Sequence, residues 1–454
     1  MKVVIVGAGE VGFHIASRLA HENKDVVVID NDPEAIRRVS ESTDVQALTG
    51  SGSSPIVLSQ AGIEEAAILL AVTNSDETNL AACLVADTLS PSIKKLARIR
   101  DADFDKYHDA FRNRAPHIDT IINPEIEVVR TIEQLMSVPG AVDVGEFADS
   151  RVKFIGIHMD KGARLAGMRL SEISSRIGKQ GPLIATVIRD EQLIIPGGND
   201  RLMPGDLVYF ICEEAKLLET LSVFDKHAQP LRRALIAGGG RTGFRLAALL
   251  ESKSISTKII ERDPHRCDEL AAQLSKTIVL NGDCSDRALL REENIQDMDV
   301  VVTLTDDEET NILAALLAKQ MGARKVIAKV STFSYIPLMT SIGLEQVVSP
   351  RLSAINTILQ HIRRGKVLSA ISIKGEQAEV MEAVAAKGSG IVGRSLKKVS
   401  FPRGVLVIGA IRGSRVIIPS GDSVIEPEDR VIVFARRGAV LKVEEILAMK
   451  PKYS

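Results

Sequence analysis

Tryptophan is absent from this 454-residue chain and aromatic residues make up only 3% of it, which leaves no platform of rings for stacking single-stranded nucleic acid. Positive charge is not in excess either. The formal net charge is -2, which argues against a general affinity for nucleic acid or for an anionic lipid surface. The four cysteines, Cys83, Cys212, Cys267 and Cys284, form no C-x-x-C pair, so a zinc spacing is excluded and small core thiols in a reducing compartment are expected. Apolar runs such as Ala66 to Val72 fall far short of the roughly 18 to 20 residues that cross a bilayer. The chain starts directly on a strand-like run with no charged, apolar and cleavage regions in succession; no signal peptide and a cytoplasmic location are expected. No histidine pairs with Cys, Asp or Glu in a metal-ligand pattern, so neither a metal site nor a catalytic histidine is expected.

At this length the chain should hold more than two domains. The first is announced by Val3-Val4-Ile5-Val6, a short buried strand, running into Gly7-Ala8-Gly9-Glu10-Val11-Gly12. This is a G-x-G-x-x-G turn: Gly7 for the bend, Gly9 for close approach of a pyrophosphate, Gly12 for tight packing of helix on strand. Phosphates would lie on free amides at the positive end of the helix. A second strand, Val26 to Ile29, ends at Asp30, where a carboxylate would hold a ribose diol. With no arginine nearer than Arg37, NAD or another adenine nucleotide is favoured over NADP.

Strand and helix patterns then alternate. A helix opens at Asp32-Pro33; Asp44 to Leu48 is strand, ending at Gly50-Ser51; Ser53 to Ala61 is helix; Ala67 to Val72 is strand. Thr73-Asn74-Ser75-Asp76-Glu77-Thr78-Asn79 leads into a helix to Leu89, and Lys95 to Arg100 is a fifth strand. This order predicts an α/β domain with a doubly wound parallel sheet and ligands at the carboxyl ends of its strands. A helix over Glu125 to Met136 leads to a small α+β unit: strands Val152 to His158, Leu183 to Arg189, Gln192 to Ile195 and Leu207 to Cys212, a helix over Leu165 to Ile173, and turns at Asp190-Glu191 and Pro204-Gly205-Asp206.

The plan then repeats. Gly238-Gly239-Gly240-Arg241-Thr242-Gly243 is a second glycine turn, and Gly238 follows Gly7 by the same 231 positions as Glu261 follows Asp30. Asp263-Pro264 answers Asp32-Pro33, Gly282-Asp283 answers Gly50-Ser51, Thr305-Asp306-Asp307-Glu308-Glu309-Thr310-Asn311 answers Thr73 to Asn79, and Lys329 answers Arg98. In the small unit, Gly167, Leu170, Ile195-Pro196 and Pro204-Gly205-Asp206 are answered by Gly393, Leu396, Ile418-Pro419 and Pro427-Glu428-Asp429. Two glycine turns with an acid at the same later position make a dinucleotide or adenine-nucleotide reading far stronger than one motif. Expected boundaries are 1–124 and 231–350 for the large units and 140–224 and 368–450 for the small ones.

Thr73-Asn74 and Thr305-Asp306 fall at the nucleotide mouth, but Thr305 with Glu308, and more loosely Asn74 with Glu77, also have the spacing of a helix-capping box. Arg98 could grip a phosphate with its fork, whereas Lys329 offers a point charge. Glu10 beside a pyrophosphate is electrostatically awkward: it must face solvent, or the two sites must differ in ligand, since the second has Arg241 there. Asp306 to Glu309 could bind a divalent ion, although a solvated helix start fits better. No acid or base stands where hydride transfer would need one.

These duplicated stretches resemble the tandem RCK (KTN) regulatory subunits of bacterial Trk potassium uptake systems, over essentially the entire chain. The resemblance implies two Rossmann-like domains, each followed by a small RCK C-terminal domain, in a non-enzymatic cytosolic subunit. It implies binding of NAD(H) and ATP/ADP, a homotetrameric ring, and gating of a potassium channel membrane subunit of the TrkH or TrkG type. Contact with nucleic acid is not implied, and the membrane is reached only through the partner. By matching positions, the first site comprises Gly7, Ala8, Gly9, Glu10, Val11, Gly12, Asp30, Gly50, Ser51, Thr73, Asn74 and Arg98. The second comprises Gly238, Gly239, Gly240, Arg241, Thr242, Gly243, Glu261, Gly282, Asp283, Thr305, Asp306 and Lys329. The rival readings are an NAD-dependent oxidoreductase and a nucleotide sensor for a partner other than a channel.

Overall fold

The computed structural model describes residues 1–447 except 102–103, 105–106, 178–181, 228, 363–366 and 374–376. The chain forms two compact bodies, one of residues 1–128 with 349–362, the other of 129–348 with 363–454.

In the first body, β1 (Lys2–Val6), α1 (Glu10–His21), β2 (Asp25–Asp30), α2 (Pro33–Ser42), β3 (Gln46–Thr49), α3 (Pro55–Gln60), β4 (Ile68–Ala71), α4 (Asp76–Leu89), β5 (Lys94–Arg98), α5 (His108–Asn113) and β6 (Thr120–Ile122) follow in order. The six strands are parallel, in the order β3-β2-β1-β4-β5-β6. The central strands are continuous apolar runs because helices cover both faces; Val3, Val4, Ile5, Val27, Leu69 and Leu70 are fully buried, each contributing roughly 1.5 to 3 kcal/mol over an exposed side chain. Asp32, the residue before Pro33, caps α2 by accepting from the Glu34 amide at 2.9 Å.

Of the helix after this sheet, α6 (Pro124–Ser137), residues 124–128 belong to the first body and 129–137 to the other. There Glu133 pairs with Lys253, and the Leu135 carbonyl accepts from the Lys325 Nζ. The small unit follows: β7 (Ala141–Phe147), β8 (Val152–His158), α7 (Leu170–Ile177), β9 (Leu183–Arg189), β10 (Gln192–Ile194), β11 (Leu207–Glu213) and α8 (Leu217–Val223). Its antiparallel sheet has the order β10-β9-β11-β8-β7. Asp190 and Glu191 both take left-handed φ, +49° and +63°, the mirrored turn that matches hairpin twist. The helix expected over Leu165 to Ile173 is displaced to Leu170–Ile177. Gly167 stops it from starting earlier: its φ is +81° and its N–H donates to the Leu202 carbonyl at 2.7 Å.

The second large unit is β12 (Arg233–Ala237), α9 (Arg241–Ser252), β13 (Ser256–Glu261), α10 (Pro264–Gln273), β14 (Ile278–Asn281), α11 (Arg287–Glu292), β15 (Val300–Thr303), α12 (Glu308–Gln320), β16 (Val326–Lys329), α13 (Ile336–Ser341) and β17 (Gln346–Val348), again parallel in the order β14-β13-β12-β15-β16-β17. Its trailing helix α14 (Pro350–Ile362) belongs to the first body, where it packs on α1 and β6. The second small unit, β18 (Ser369–Ile373), β19 (Ala378–Val384), β20 (Val405–Arg412), β21 (Arg415–Ile417), β22 (Arg430–Arg436) and α15 (Val440–Leu447), has the sheet order β18-β19-β22-β20-β21, matching the first small unit strand for strand. The two small sheets share one core through Phe154, Tyr209, Ile408 and Phe434. In both, the aspartate of the repeated turn is buried and held by both arms of an arginine on the hairpin, Arg189 on Asp206 and Arg412 on Asp429.

Lys325 lines a cavity of about 380 Å³ with Met136, Gly140, His227, Arg324 and Gln346, and burial pushes its ammonium down from 10.5 to about 8. Between those values the unfolded chain holds a proton that the folded chain has lost, so this group makes stability rise with pH from about 8 to 10.5. Lys325→Met should flatten that rise and add roughly 1 to 3 kcal/mol at pH 7. Urea unfolding of both proteins at pH 7, 9 and 10.5 checks it.

Candidate functional site

At the carboxyl end of β1 the chain turns sharply at Gly7. Gly7 has φ +112° and its amide donates to the Ile29 carbonyl at 2.8 Å; a Cβ there would meet the Thr73 amide at 3.0 Å. A Cβ on Gly12 would come within 1.8 Å of the Gly7 carbonyl oxygen, so α1 can approach the turn only because that position is bare. Around Gly9 nothing lies within 4 Å of a hypothetical Cβ. Gly9 is also the N-cap of α1 and supplies no side-chain cap; the first-turn amides therefore face an open cradle, as an anion requires. Val11 and Thr242 are buried and offer their backbone, not their side chains.

Asp30, at the end of β2, accepts from the Ala8 amide at 2.6 Å with one oxygen and from the Asp32 amide at 2.9 Å with the other. Each oxygen keeps a second lone pair for a ribose hydroxyl. Glu261 does the same in the second unit, accepting from Gly239 at 2.8 Å and Asp263 at 2.9 Å. The acid thus has a structural task, bracing the glycine turn, besides the one the sequence suggests. The Ala8 carbonyl accepts from Arg38 Nη2 at 3.0 Å and the Gly239 carbonyl from Arg266 Nε at 2.8 Å. These two arginines are missed by the sequence comparison because they sit 228 positions apart, one helical turn out of the repeat's offset of 231.

The Gly50 amide donates to the Asp30 carbonyl and the Gly282 amide to that of Glu261. Ser51 shares a hydrogen bond with Ser53 at 2.9 Å, while Asp283 accepts from both the amide and hydroxyl of Ser285, which holds its carboxyl below the usual range. After β4, the fully buried Asn79 accepts from the Thr73 amide at 2.9 Å and hydroxyl at 2.8 Å, and donates to the carbonyls of Thr73 and Arg98. Asn311 repeats this with Thr305 and Lys329. Thr305 and Asn74 are therefore not the helix caps that their spacing allowed. Ser75 and Asp307 cap α4 and α12, accepting from the amides of Thr78 and Thr310.

Arg98 donates from Nη1 to the Asn74 Oδ1 at 3.2 Å and to the Thr73 carbonyl at 3.4 Å, and its buried Nε has no hydrogen-bond partner. Burial, and then the like charge of Arg100, lower its pKa against the opposing pull of Asp76 and Glu125. Lys329 stands 3.5 Å from Asp306. The acidic stretch is otherwise occupied, with Glu308 accepting from the amides of Ser331 and Thr332; among the described residues no His, Cys, Asp and Glu gather as a metal site. Glu10 does not simply face solvent. It pairs with Arg351 of α14, a partner 341 positions away that no local pattern announces.

Gly7 to Gly12, Asp30, Gly50, Ser51, Thr73, Asn74 and Arg98 thus all sit at the carboxyl ends of β1 to β5, on one rim, and Gly238 to Gly243, Glu261, Gly282, Asp283, Thr305, Asp306 and Lys329 at the ends of β12 to β16 on another. An open phosphate cradle, a braced carboxylate with spare lone pairs and a buried guanidinium nitrogen without a hydrogen-bond partner fit an adenine nucleotide.

The TrkA-N domain model matches residues 3–124 and 234–350, and the TrkA-C domain model matches 155–225 and 380–448. The Trk system potassium uptake protein TrkA of Halomonas elongata is 36% identical over 437 residues, covering 96% of this chain and 95% of that protein. In fold, the chain is similar to the GsuK channel bound to NAD, with TM-score 0.60, 16% identity and coverage of 98% of this chain and 78% of that one. It is also similar to GsuK bound to ADP, with TM-score 0.51, 14% identity and coverage of 80% and 70%. The duplicated sheets, their matched domain models and the full-length relative place this chain in the TrkA family of potassium uptake proteins.

Proposed function

We propose that this chain is the nucleotide-sensing regulatory subunit of a bacterial potassium uptake channel. The observation that carries this reading is the pair of rims on one polypeptide, each a bare glycine turn braced by an acid. NAD(H) and ATP or ADP are the ligands, held by the residues named above, with the adenosine ribose on Asp30 or Glu261 and the phosphates on the amides of α1 or α9. The four domains are 1–124, 140–224, 231–350 and 368–450, residues 448–450 lying outside those described. A homotetrameric ring on the inner face of the cell membrane transmits the nucleotide state to a TrkH- or TrkG-type subunit. Among the described residues no helix is long and apolar enough to cross a membrane, so the pore belongs to the partner.

The role is regulatory and not catalytic. All four cysteines are buried and unpaired, with burial pushing the thiols of Cys83 and Cys212 up to about 12 and that of Cys284 to about 11, so none serves as a nucleophile. Gating is then a population shift, effective only as far as a nucleotide binds one ring geometry better than another. The test is potassium flux through the reconstituted channel complex with ATP, ADP and NADH added in turn. At least one should change flux by about 5- to 150-fold, the usual range of such coupling; unchanged flux with nucleotide demonstrably bound would contradict the proposal.

A further inference from the structure

The carboxylate of Glu10 stands on the first residue of α1, beside the amides that would hold a pyrophosphate. Left alone it would repel phosphate, a doubly charged terminal one most strongly. Arg351 neutralises it, although Arg351 belongs to α14, the helix that trails the other large unit. Both side chains are only partly covered, 37% and 40% exposed, so the guanidinium can exchange partners without being dragged through a packed core. Arg98, at the end of β5 on the same rim, feels the Arg351 charge. The repeat carries the two charges with their signs exchanged: Arg241 stands at the position of Glu10, and Glu125, following Pro124, stands at the position of Arg351, following Pro350. The first cradle therefore differs from the second in drawing a cation from an element distant in sequence.

We propose that Arg351 is the specificity-determining residue of the first nucleotide site, turning part of its guanidinium from Glu10 to bridge that carboxylate and a terminal phosphate and so favouring nucleoside di- and triphosphates over dinucleotides. This rests on the nucleotide reading given above. A terminal phosphate carries up to two charges and free oxygens that match the arginine fork. The phosphates of a dinucleotide are both internal, carry one charge each, and leave the Glu10–Arg351 pair the better option. Glu10 is the competitor that sets the threshold.

The experiment is calorimetric titration of ATP and NADH into the full chain carrying Glu261→Ala, which removes the ribose acid of the second site. Arg351→Gln should weaken ATP about tenfold or more, the value of a charge-assisted hydrogen bond, and NADH less than about threefold. Arg351→Lys should recover part of the loss, and Glu10→Gln should tighten ATP by about threefold or more, because the competitor is gone. A ratio of ATP to NADH affinity unmoved by both Arg351→Gln and Glu10→Gln would overturn the assignment while leaving nucleotide binding intact. A parent chain that takes up neither compound would overturn the nucleotide reading itself, and this assignment with it.

Discussion

Gly12→Ala should cost the first large unit about 3 kcal/mol or more and abolish nucleotide binding on its rim. The added Cβ would lie 1.8 Å from the Gly7 carbonyl oxygen. That neighbour is backbone in a turn already fixed by the Ile29 carbonyl and the close approach of Thr73, so no side-chain rotation relieves the clash and α1 must move away from β1. Gly9→Ala separates folding from binding. Its φ is -61°, and nothing lies within 4 Å of the new methyl, so stability should change by no more than about 0.5 kcal/mol. The methyl would nevertheless stand in the cradle, so affinity should fall while the melting curve stays in place. Thermal denaturation with parallel calorimetric titration of ADP measures both. Equal binding by Gly9→Ala and the parent would show that the cradle is not where phosphate sits.

Asp30→Asn should weaken adenine-nucleotide binding at the first site by about 100-fold, because two hydrogen bonds from ribose hydroxyls to a charged acceptor are each worth roughly 1.5 to 3 kcal/mol. Asparagine keeps the shape and one acceptor, so the Ala8 amide, which Asp30 holds at 2.6 Å, remains braced and the turn survives. The discriminating readout uses 2′-deoxy-ADP. The parent chain should prefer ADP over its 2′-deoxy form, and Asp30→Asn should lose most of that preference. Equal losses for both ligands would assign Asp30 a bracing role alone. With the carboxylate gone, the repulsion of a 2′-phosphate also weakens, and NADP should gain relative to NAD.

Much of this was legible in the amino-acid string because it depends on local chemistry. The glycine turns, the acids at the ends of β2 and β13 and the constant offset between them each have a residue-type requirement that can be read without coordinates. The third and fourth strands and the helix caps are shifted by one to two residues, as fraying ends generally are. The sixth strand of each large sheet was not, because Thr120–Ile122 and Gln346–Val348 are three residues long, too short for any period to declare itself. The strand β7, with bulged pairing to β8 near Ala141, was lost for a related reason: its alternation is broken where the extra residue enters.

The site residues that escaped notice share a different cause. Arg38 and Arg266 act on equivalent carbonyls, those of Ala8 and Gly239, from different turns of their helices, so comparing the repeats hides them. Asn79 ends the Thr73-to-Asn79 stretch, but its task of tying the end of β4 to the end of β5 is visible only once both ends are in place. Arg351 reaches Glu10 because helices α6 and α14 leave the large units they follow in sequence, an exchange that local pattern does not encode. The awkward charge of Glu10 was the one clue, and its resolution lay in tertiary structure.

The most direct measurement is a count of adenine-containing ligand per chain by equilibrium dialysis, with radiolabelled ADP and NAD supplied together at saturating concentration. Two rims predict two bound molecules per chain, and one when Gly12→Ala has closed the first. A chain that retains none at millimolar supply would contradict the account at its root.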